Sequence, residues 1–565
     1  MPPPASEATL THWFVTLDGA EVAGLMDAIR SVEVDQNLFL PDMCTIVLNN
    51  GMKWSEDARI GLGHTIAAVA HSGPGPNSPA SEIFSGDIIS IEGDFQESGH
   101  TYLVIRAYDR SHRMQHGSHI RSWKSISDSD IASRIGSAHG LSVQSDATDT
   151  IFEHIIQDNV SDFAFLQQRA QSSGRIMAVV GNVLHFKRFE RFSSTAVALD
   201  LGRNLLEFKP RMSASGQVGT IESKGWDVKE KRVIIGRAET AASMAQKSEW
   251  AKPGVEQYRS AAGVEKPTLH ITDAAFEDQG HARSHSESRL AGFWARDFRA
   301  EGMAMGDPRI RAGGRVSIEN QGKFNGEYIV TGARHIYEGG HYLVRFTITG
   351  FGAETTADLV AAPDAAFSNT LTGRIRHGLA IALVTQNKDP DNLGRVKVKF
   401  PWLDDTVEST WARWVSPMAG PGRGFFCLPE VNDEVVLAFE NGDFNRPFIL
   451  GALWNGQDKP PEQTSAAVNS SGVNIRVLKT RAGHIIRLDD SSGKEKIEII
   501  DKTGQNSIVI DSTSNKITVT SAGEIELGAS MKVTIKAPQI QIDGQQVAIS
   551  GSAQTTIKGG VVQIN

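Results

Sequence analysis

His281 and His285 in "HARSHSESR" stand four residues apart, with Glu287 close behind. On a helix that spacing turns two imidazoles to one face, the arrangement in which zinc enzymes hold their metal. The HExxH order that adds a general base is missing, so a polar helix face is expected there. "SHRMQHGSHIR" sets His112, His116 and His119 among arginines, which repel a cation, and reads as a surface or interface loop. Asp489 and Asp490 beside Arg487 in "HIIRLDDSSGKEK" are paired carboxylates of the kind that cleave glycosidic bonds. They run straight into Ser-Ser-Gly and are expected to form a turn. Lys397 and Lys399 in "LGRVKVKFPWL" could face a nucleic acid or a glycan. Acidic "DPDN" and "LDD" flank them and no aromatic alternates with them, so a solvated strand face is expected. Neither GxSxG nor GxxxxGK[ST] occurs. Gly378, Gly394, Gly422, Gly424, Gly451 and Gly559 are expected to serve tight turns. These residues together predict no catalytic site, no cofactor and no metal, and a protein that is not an enzyme.

The elements around them belong to a chain of 565 residues, too long for one core and suggestive of three or four domains. With 40% hydrophobic and 22% charged residues it is neither disordered nor membrane-embedded, and a net charge of −9 argues against a dedicated nucleic-acid binder. The start, "MPPPASEATLTHWF", has no basic region followed by an apolar core, so no secretory signal is expected and folding in bacterial cytoplasm is. Cys44 and Cys427 read as separate buried thiols.

Residues 1–355 read as mixed α and β. "CTIVLNN" and "TYLVIRAYDR" are strand-like, and "SDFAFLQQRAQSSGRIMAVVGNVLHFKR" is a short helix followed by a strand pair turned at Gly181-Asn182. A long helix is expected from Asp273 to Arg299 with Leu290, Phe293, Trp294 and Phe298 on one side. Residues 314–350 alternate like antiparallel strands around Asn-Gly and Gly-Gly turns. An Ala/Thr/Asp-rich stretch marks a linker at 356–372. From 373 to 460, Val396, Val398 and Phe400 alternate with Arg395, Lys397 and Lys399, and several short strands predict a small OB-type barrel. Residues 461–472 read as a second linker.

The segment 473–565 repeats. Aliphatic residues pair at i, i+2, and the pairs recur every seven to nine residues: Ile508/Ile510, Ile517/Val519, Ile525/Leu527, Val533/Ile535, Ile540/Ile542, Val547/Ile549, Thr555/Ile557 and Val562/Ile564. Each rung predicts one short strand with one apolar face. A single chain would coil them barely twice and leave strand edges open. Three chains around one axis cover every face, so a trimeric β-needle is expected with these aliphatic residues as its core.

Longer motifs then become specific. "LVTQNKDPDNLGRVKVKFPWL", "WARWVSPMAGPGRGFFCLPEVNDEVVLAFENGDFNRPFILGALWNG" and "KTRAGHIIRLDDSSGKEKIEIIDKTGQNSIVIDS" resemble the VgrG spike family, whose relatives include phage tail hub and needle proteins. "YDRSHRM", "QDNVSDFAFLQQRA" and "FNGEYIVTGARHIY" resemble the family's hub. The resemblance implies a mainly β protein with a minor α+β part: a hub of two barrel-like units with helices, an OB collar and a C-terminal needle. It further implies a homotrimer that meets a hexameric inner tube protein and baseplate proteins. A PAAR-like tip protein would dock at Val562, Ile564 and Asn565; effector cargo and transient contact with a target membrane are also implied, and nucleic acid is not. The opening "WFVTLDGAEVAGLMDAIRSVEVDQNLFLPDMC" is similar to spikes of extracellular injection systems, which are released or membrane-anchored. No lysozyme-like insert or appended effector is expected. The alternative is a glycan-binding or glycan-degrading trimeric tail spike, which predicts aromatics and acid pairs along the needle; from Ser471 onward the chain has no aromatic residue.

Overall fold

Period-two alternation governs most of this chain. In Met43–Asn49 every second residue, from Cys44 through Ile46 to Leu48, is buried, and the residues between are half-buried. A strand with one apolar face must lay it on a core. The computed structural model describes residues 11–74, 80–192, 195–214, 218–240, 254–272, 274–295, 297–350 and 378–563. The expected linker at 356–372, and Ile564 and Asn565, lie outside the described residues. The chain forms two units, Met1–Leu453 and Trp454–Asn565.

An eleven-stranded sheet dominates the first unit. Its order is Leu205–Met212, Phe298–Met305, His341–Ile348, Gly332–Glu338, Ile29–Asn37, Met43–Asn49, Thr101–Asp109, Ala80–Phe95, Thr65–Pro74, Thr11–Leu17 and Ala20–Glu21. The chain thus builds one half before residue 110 and the other after residue 204. They join where Gly332–Glu338 pairs with Ile29–Asn37.

The two halves are copies of one design. Asp57 and Asp307 each open an identical turn. The Asp57 carboxylate accepts the Arg59 backbone N–H at 3.0 Å and its guanidinium at 2.7 Å; Asp307 does the same for Arg309 at 2.9 and 2.6 Å. Ile60 and Ile310 follow, both buried. Gly63 and Gly313 then take φ of +86° and +79°, a conformation that favours glycine. Each donates to the next strand, at Ile88 and Val330 respectively. The registers agree as well. A bulge interrupts Ile29–Asn37 against Met43–Asn49 just after Ile29, and another interrupts Leu205–Met212 against Phe298–Met305 just after Leu205.

Between the halves lie two smaller α/β layers. Helices Asp128–Ala138 and Asp162–Ser172 pack with the hairpin Ile176–Val180/Val183–Lys187 around Leu166, Leu184 and Phe186; the Gly181-Asn182 turn sits where the sequence places it. The second layer sets helix Gln279–Trp294 on the strands Thr220–Asp227, Arg232–Ala238 and Thr268–Ile271. That helix is shorter than periodicity suggests. The Asp278 side chain caps it by accepting the His281 N–H at 2.7 Å, and Asp273 lies outside the described residues. Leu290 and Phe293 are buried as expected, but Phe298 begins a strand and stacks on Tyr328 at 4.5 Å.

Ala380–Gln386 pairs with both Glu434–Phe439 and Arg395–Phe400. Together with Pro447–Ala452 and Ala412–Trp414 they close into a five-stranded barrel. Val396, Val398 and Phe400 fill it, as the alternation requires. The barrel does not stand apart from the preceding layers: Ile156 belongs to its core, and the Asn445 side chain accepts the Ile156 N–H at 2.7 Å. Two expectations fail here. Arg395, placed by parity on the wet face, is buried, because Asp389 and Asp391 hold its guanidinium at 2.6 and 2.8 Å. Cys427 is exposed while Cys44 is buried. Of the glycines expected at turns, Gly394 and Gly422 have φ of +71° and +62°, whereas Gly451 lies within a strand.

Candidate functional site

The second unit carries the largest run of uncovered apolar side chains. Strands Ile475–Lys479, Ile485–Asp489, Lys496–Ile500, Ser507–Asp511 and Lys516–Thr520 form an antiparallel meander. Tight turns join them; Asn515, at φ +52°, makes the last one. The register stacks Leu478, Ile486, Ile499, Ile508 and Val519 in one column, and Leu488, Ile497, Ile510 and Ile517 in the column beside it. Side chains two apart share a face, so all nine lie on the same side. They are between 39% and 70% exposed.

The other side mixes Val477, Ile485, Ile500 and Val509 with charges that pair across the ladder. Asp489, Lys496, Asp511 and Lys516 stand opposite one another in alternating sign across successive strands. Lys496 Nζ is 2.9 Å from Glu498, and Glu498 faces Arg487. Opposite charges directly across a ladder favour this register. The nine-residue face is the more exposed of the two, whereas Asp489 and Glu498 on the opposite side are buried.

Of the sequence-predicted residues, Ile508, Ile510, Ile517 and Val519 lie on this apolar face. Ile486, Leu488, Ile497 and Ile499, which precede the repeat as first counted, extend it. Among the described residues no strand follows Thr520, so the one-strand-per-rung expectation does not hold for the rungs beyond it in this chain: none pairs with another segment. Their conformation nevertheless repeats. Ile525, Val533, Ile540, Val547 and Val562 are 52–55% exposed, while Leu527, Ile535, Ile542, Ile549 and Ile557 are 67–75% exposed. A Cβ added at Gly544 or at Gly559 would meet the same two groups, the carbonyl two residues on and the valine methyl three residues on.

The titratable candidates are all engaged in packing. His281 and His285 lie on the inward side of their helix and flank the Phe276 ring at 5.5 and 5.1 Å. His285 Nδ1 is 3.1 Å from Ser223 Oγ. Burial, then the positive charge of neighbouring arginines, pushes His281 down to about 4 and His285 down to about 3. The unfolded chain thus takes up their protons first as pH falls below about 6.5, so stability drops on acidification. At pH 5, His285 alone is expected to remove about 2 kcal/mol relative to pH 7.5. His285→Gln, compared with the parent by denaturant titration at both values, should flatten that dependence.

His112 is buried rather than on a loop surface, with Nδ1 2.6 Å from the Asp109 carbonyl. His119, His139 and Arg121 all converge on Asp162, at 3.6, 2.9 and 3.1 Å. Asp489 accepts the Ser491 N–H at 2.9 Å and Asp490 pairs with Arg476 at 2.7 Å, the geometry of a turn. Lys397 lies over the Trp411 ring at 5.1 Å and Lys399 is 3.4 Å from Asp405. Trp411 is twelve residues beyond Lys399, so alternation within the strand gave no hint of it. Among the described residues no group of three or more His, Cys, Asp or Glu side chains is placed to hold a metal, and no helix is long and apolar enough to cross a membrane.

Comparison with known proteins agrees with this architecture. Residues 380–454 match the type VI secretion system/phage-baseplate injector OB domain, and residues 7–338 match the Alg8 N-terminal domain. The type VI secretion system spike protein VgrG2a of Pseudomonas aeruginosa is 24% identical over 247 residues, 41% of this chain and 29% of the relative. This chain therefore spans less than a third of that relative's length. The solved Francisella PdpA-VgrG complex, half-lidded, is similar in fold at TM-score 0.54 and 8% identity, covering 90% of this chain and 88% of that one. The E. coli c3393 protein, a type VI secretion component structurally similar to T4 bacteriophage tail proteins gp27 and gp5, gives TM-score 0.50 and 13% identity over 78% of this chain and 99% of that one. With more than half of its residues inside the Alg8 N-terminal domain and a match to the injector OB domain after it, the chain belongs to the Alg8 N-terminal domain family and is similar to VgrG spike proteins.

Proposed function

We propose that this chain is the central spike of a phage-tail-like contractile injection system and works as a homotrimer. Its hub, residues 1–355, joins the hexameric inner tube and baseplate. The OB barrel forms a collar, and residues 473–565 form a needle that sheath contraction drives through the target envelope. The single observation that supports this most is the nine-residue aliphatic face of the second unit, continued by the repeating rungs beyond Thr520. Covering a half-exposed Ile or Leu is worth on the order of 1 kcal/mol. Nine such residues on each of three chains, closing on one axis, would make a dry core that a lone chain lacks.

In this reading Ile508, Ile510, Ile517, Val519, Ile525, Leu527, Val533, Ile535, Ile540, Ile542, Val547, Ile549, Ile557, Val562 and Ile564 line the needle axis. Val562, Ile564 and Asn565 form the end that receives a PAAR-like tip protein. Effector cargo, transient contact with the target membrane, cytoplasmic assembly and a particle either released or anchored belong to the same proposal. Its action is mechanical, and no residue is assigned a catalytic role. The glycan-cleaving alternative gains no support from Asp489 and Asp490, which are committed to a turn and to Arg476. Sedimentation equilibrium of the full-length protein is expected to give three times the chain mass at micromolar concentration. A stable monomer would overturn the proposal.

A further inference from the structure

The joint between the first α/β layer and the OB barrel holds hydrogen-bonding groups that nothing meets. Strand Ile151–Val160 pairs with His119–Ser127 and turns Phe152, His154 and Ile156 to one side, since side chains two apart share a face. Ile156 enters the barrel core. His154 is only 7% exposed, yet among the described residues neither of its ring nitrogens has a hydrogen-bond partner. The Phe152 ring carries the Arg169 guanidinium at 4.5 Å. Asp128 accepts from Arg169 Nε at 2.5 Å, while Arg169 Nη2 is buried with no acceptor. Buried donors are satisfied as a rule, because an unmet one loses its water for nothing. His154 and Arg169 line one cavity of about 90 Å³, together with Ser172, His281 and, from the barrel, Asn445 and Arg446. That is the room of about three waters at roughly 30 Å³ each, and also that of one tetrahedral oxyanion.

We propose that this cavity binds a tetrahedral inorganic oxyanion, phosphate or sulfate, with Arg169 Nη2 and the His154 ring as its donors. The lining comes from the layer, from helix Gln279–Trp294 and from the barrel, so the ion fastens all three. The site is complete within one chain and does not depend on the trimeric reading.

The local field favours an anion over water alone. Burial is the first cause that holds His154 and His281 down at about 4, and neighbouring cations are the second. At His281 the charges of Arg169 and Arg446 outweigh that of Asp278; at His154 those of Lys124 and Lys397 outweigh that of Glu408. Even neutral, an imidazole keeps one N–H to donate. The acids of the lining are already engaged. Glu277 pairs with Arg446 at 3.2 Å, and Asp443 accepts the Asn445 backbone and side-chain N–H groups at 3.0 and 3.1 Å. Arg446 also faces Glu440 at 3.5 Å, so it lends the site charge rather than a free donor. A neighbouring cleft of about 310 Å³ shares Phe152, Ser172 and His281 with the cavity and provides the route in.

Calorimetry tests this on the full-length protein exchanged into chloride and titrated with inorganic phosphate at neutral pH and constant ionic strength. Saturable binding of one ion per chain is expected, with sulfate competing. His154→Asn and Arg169→Lys each remove one donor, and each should weaken binding roughly 10- to 100-fold, the effect of one hydrogen bond to a charged group. Arg476→Lys, in the second unit, should leave it unchanged. A second readout needs no variant. Phosphate, and not chloride at equal ionic strength, should slow amide exchange at Ile156, whose N–H bonds Asn445 across the joint. No saturable heat, or an exchange rate at Ile156 that phosphate leaves unchanged, means that water fills the cavity and overturns the proposal. Parent-like affinity in either variant, folded by circular dichroism, overturns it too.

Discussion

Ile499→Asp is expected to abolish the assembled protein's resistance to denaturant, while Thr518→Asp on the opposite face of the same sheet changes it little. Ile499 sits on the central strand of the meander with Ile486 and Ile508 directly beside it. In a trimer closed on this face, the substitution places three carboxylates around one axis. The effective cost of an ion taken out of water is several kcal/mol, so the three together cost on the order of 10 kcal/mol per trimer. Lost aliphatic contact adds to this. Thr518 lies beside Val509 on the opposite side, where a surface change stays within about 0.5 kcal/mol. The pH response separates charge from shape. Burial raises the pKa of a carboxylate, so the Ile499→Asp trimer should partly recover as pH falls below about 5, whereas a defect of packing alone would not. Sedimentation at graded guanidinium concentration reads both effects. A variant as resistant as the parent would mean that Ile499 faces solvent in the assembly.

The same face illustrates how far sequence alone reaches. Pairs such as Ile508/Ile510 are legible because Asp, Asn, Ser and Gly isolate them at a steady spacing. Ile486/Leu488 and Ile497/Ile499 belong to the same columns, but "HIIRLDD" and "KEKIEII" crowd them with charges that turn out to occupy the other face. Strand positions in the hub were legible for a similar reason, since Cys44, Ile46 and Leu48 alternate cleanly. Two barrel-like units were implied by the resemblance, but the residue-by-residue equivalence of the two halves was not legible. Only an aspartate, an arginine, an isoleucine and a glycine recur between the turns at Asp57 and Asp307, and register, not residue identity, carries the likeness. The histidines mislead in the opposite direction: an i, i+4 pair looks like a ligand set or a wet face, yet the ring of Phe276 and Ser223 receive it. Parity failed at Arg395 because a charge can be buried when its partners arrive from a loop six residues earlier.

Those partners make Arg395→Ala the most damaging single change expected in the barrel. The Asp389 side chain is 3% exposed and that of Arg395 10%. Burial alone would raise the Asp389 carboxyl, but the Arg395 guanidinium and the N–H groups of Asp391, Arg395 and Leu393 hold it well below the usual carboxylate range. Removing the guanidinium leaves a buried anion with backbone donors only, a loss of about 3–5 kcal/mol. Asp391 loses one of its two cations and keeps Lys229, at 3.0 Å, so the tie between the barrel and the Asp227–Arg232 turn weakens as well. The measurement is amide exchange at Val396 and Val398, whose protection should fall by roughly 100- to 3,000-fold at 1.4 kcal/mol per decade. The acid limb follows from the sign of the shift. A depressed carboxyl contributes stability at pH above about 4, lost as pH falls toward its folded value; without Arg395 the shift shrinks, and so should the slope below pH 4. Protection unchanged within tenfold would show that Asp389 is adequately held by its backbone donors, and that Arg395 is buried for its packing alone.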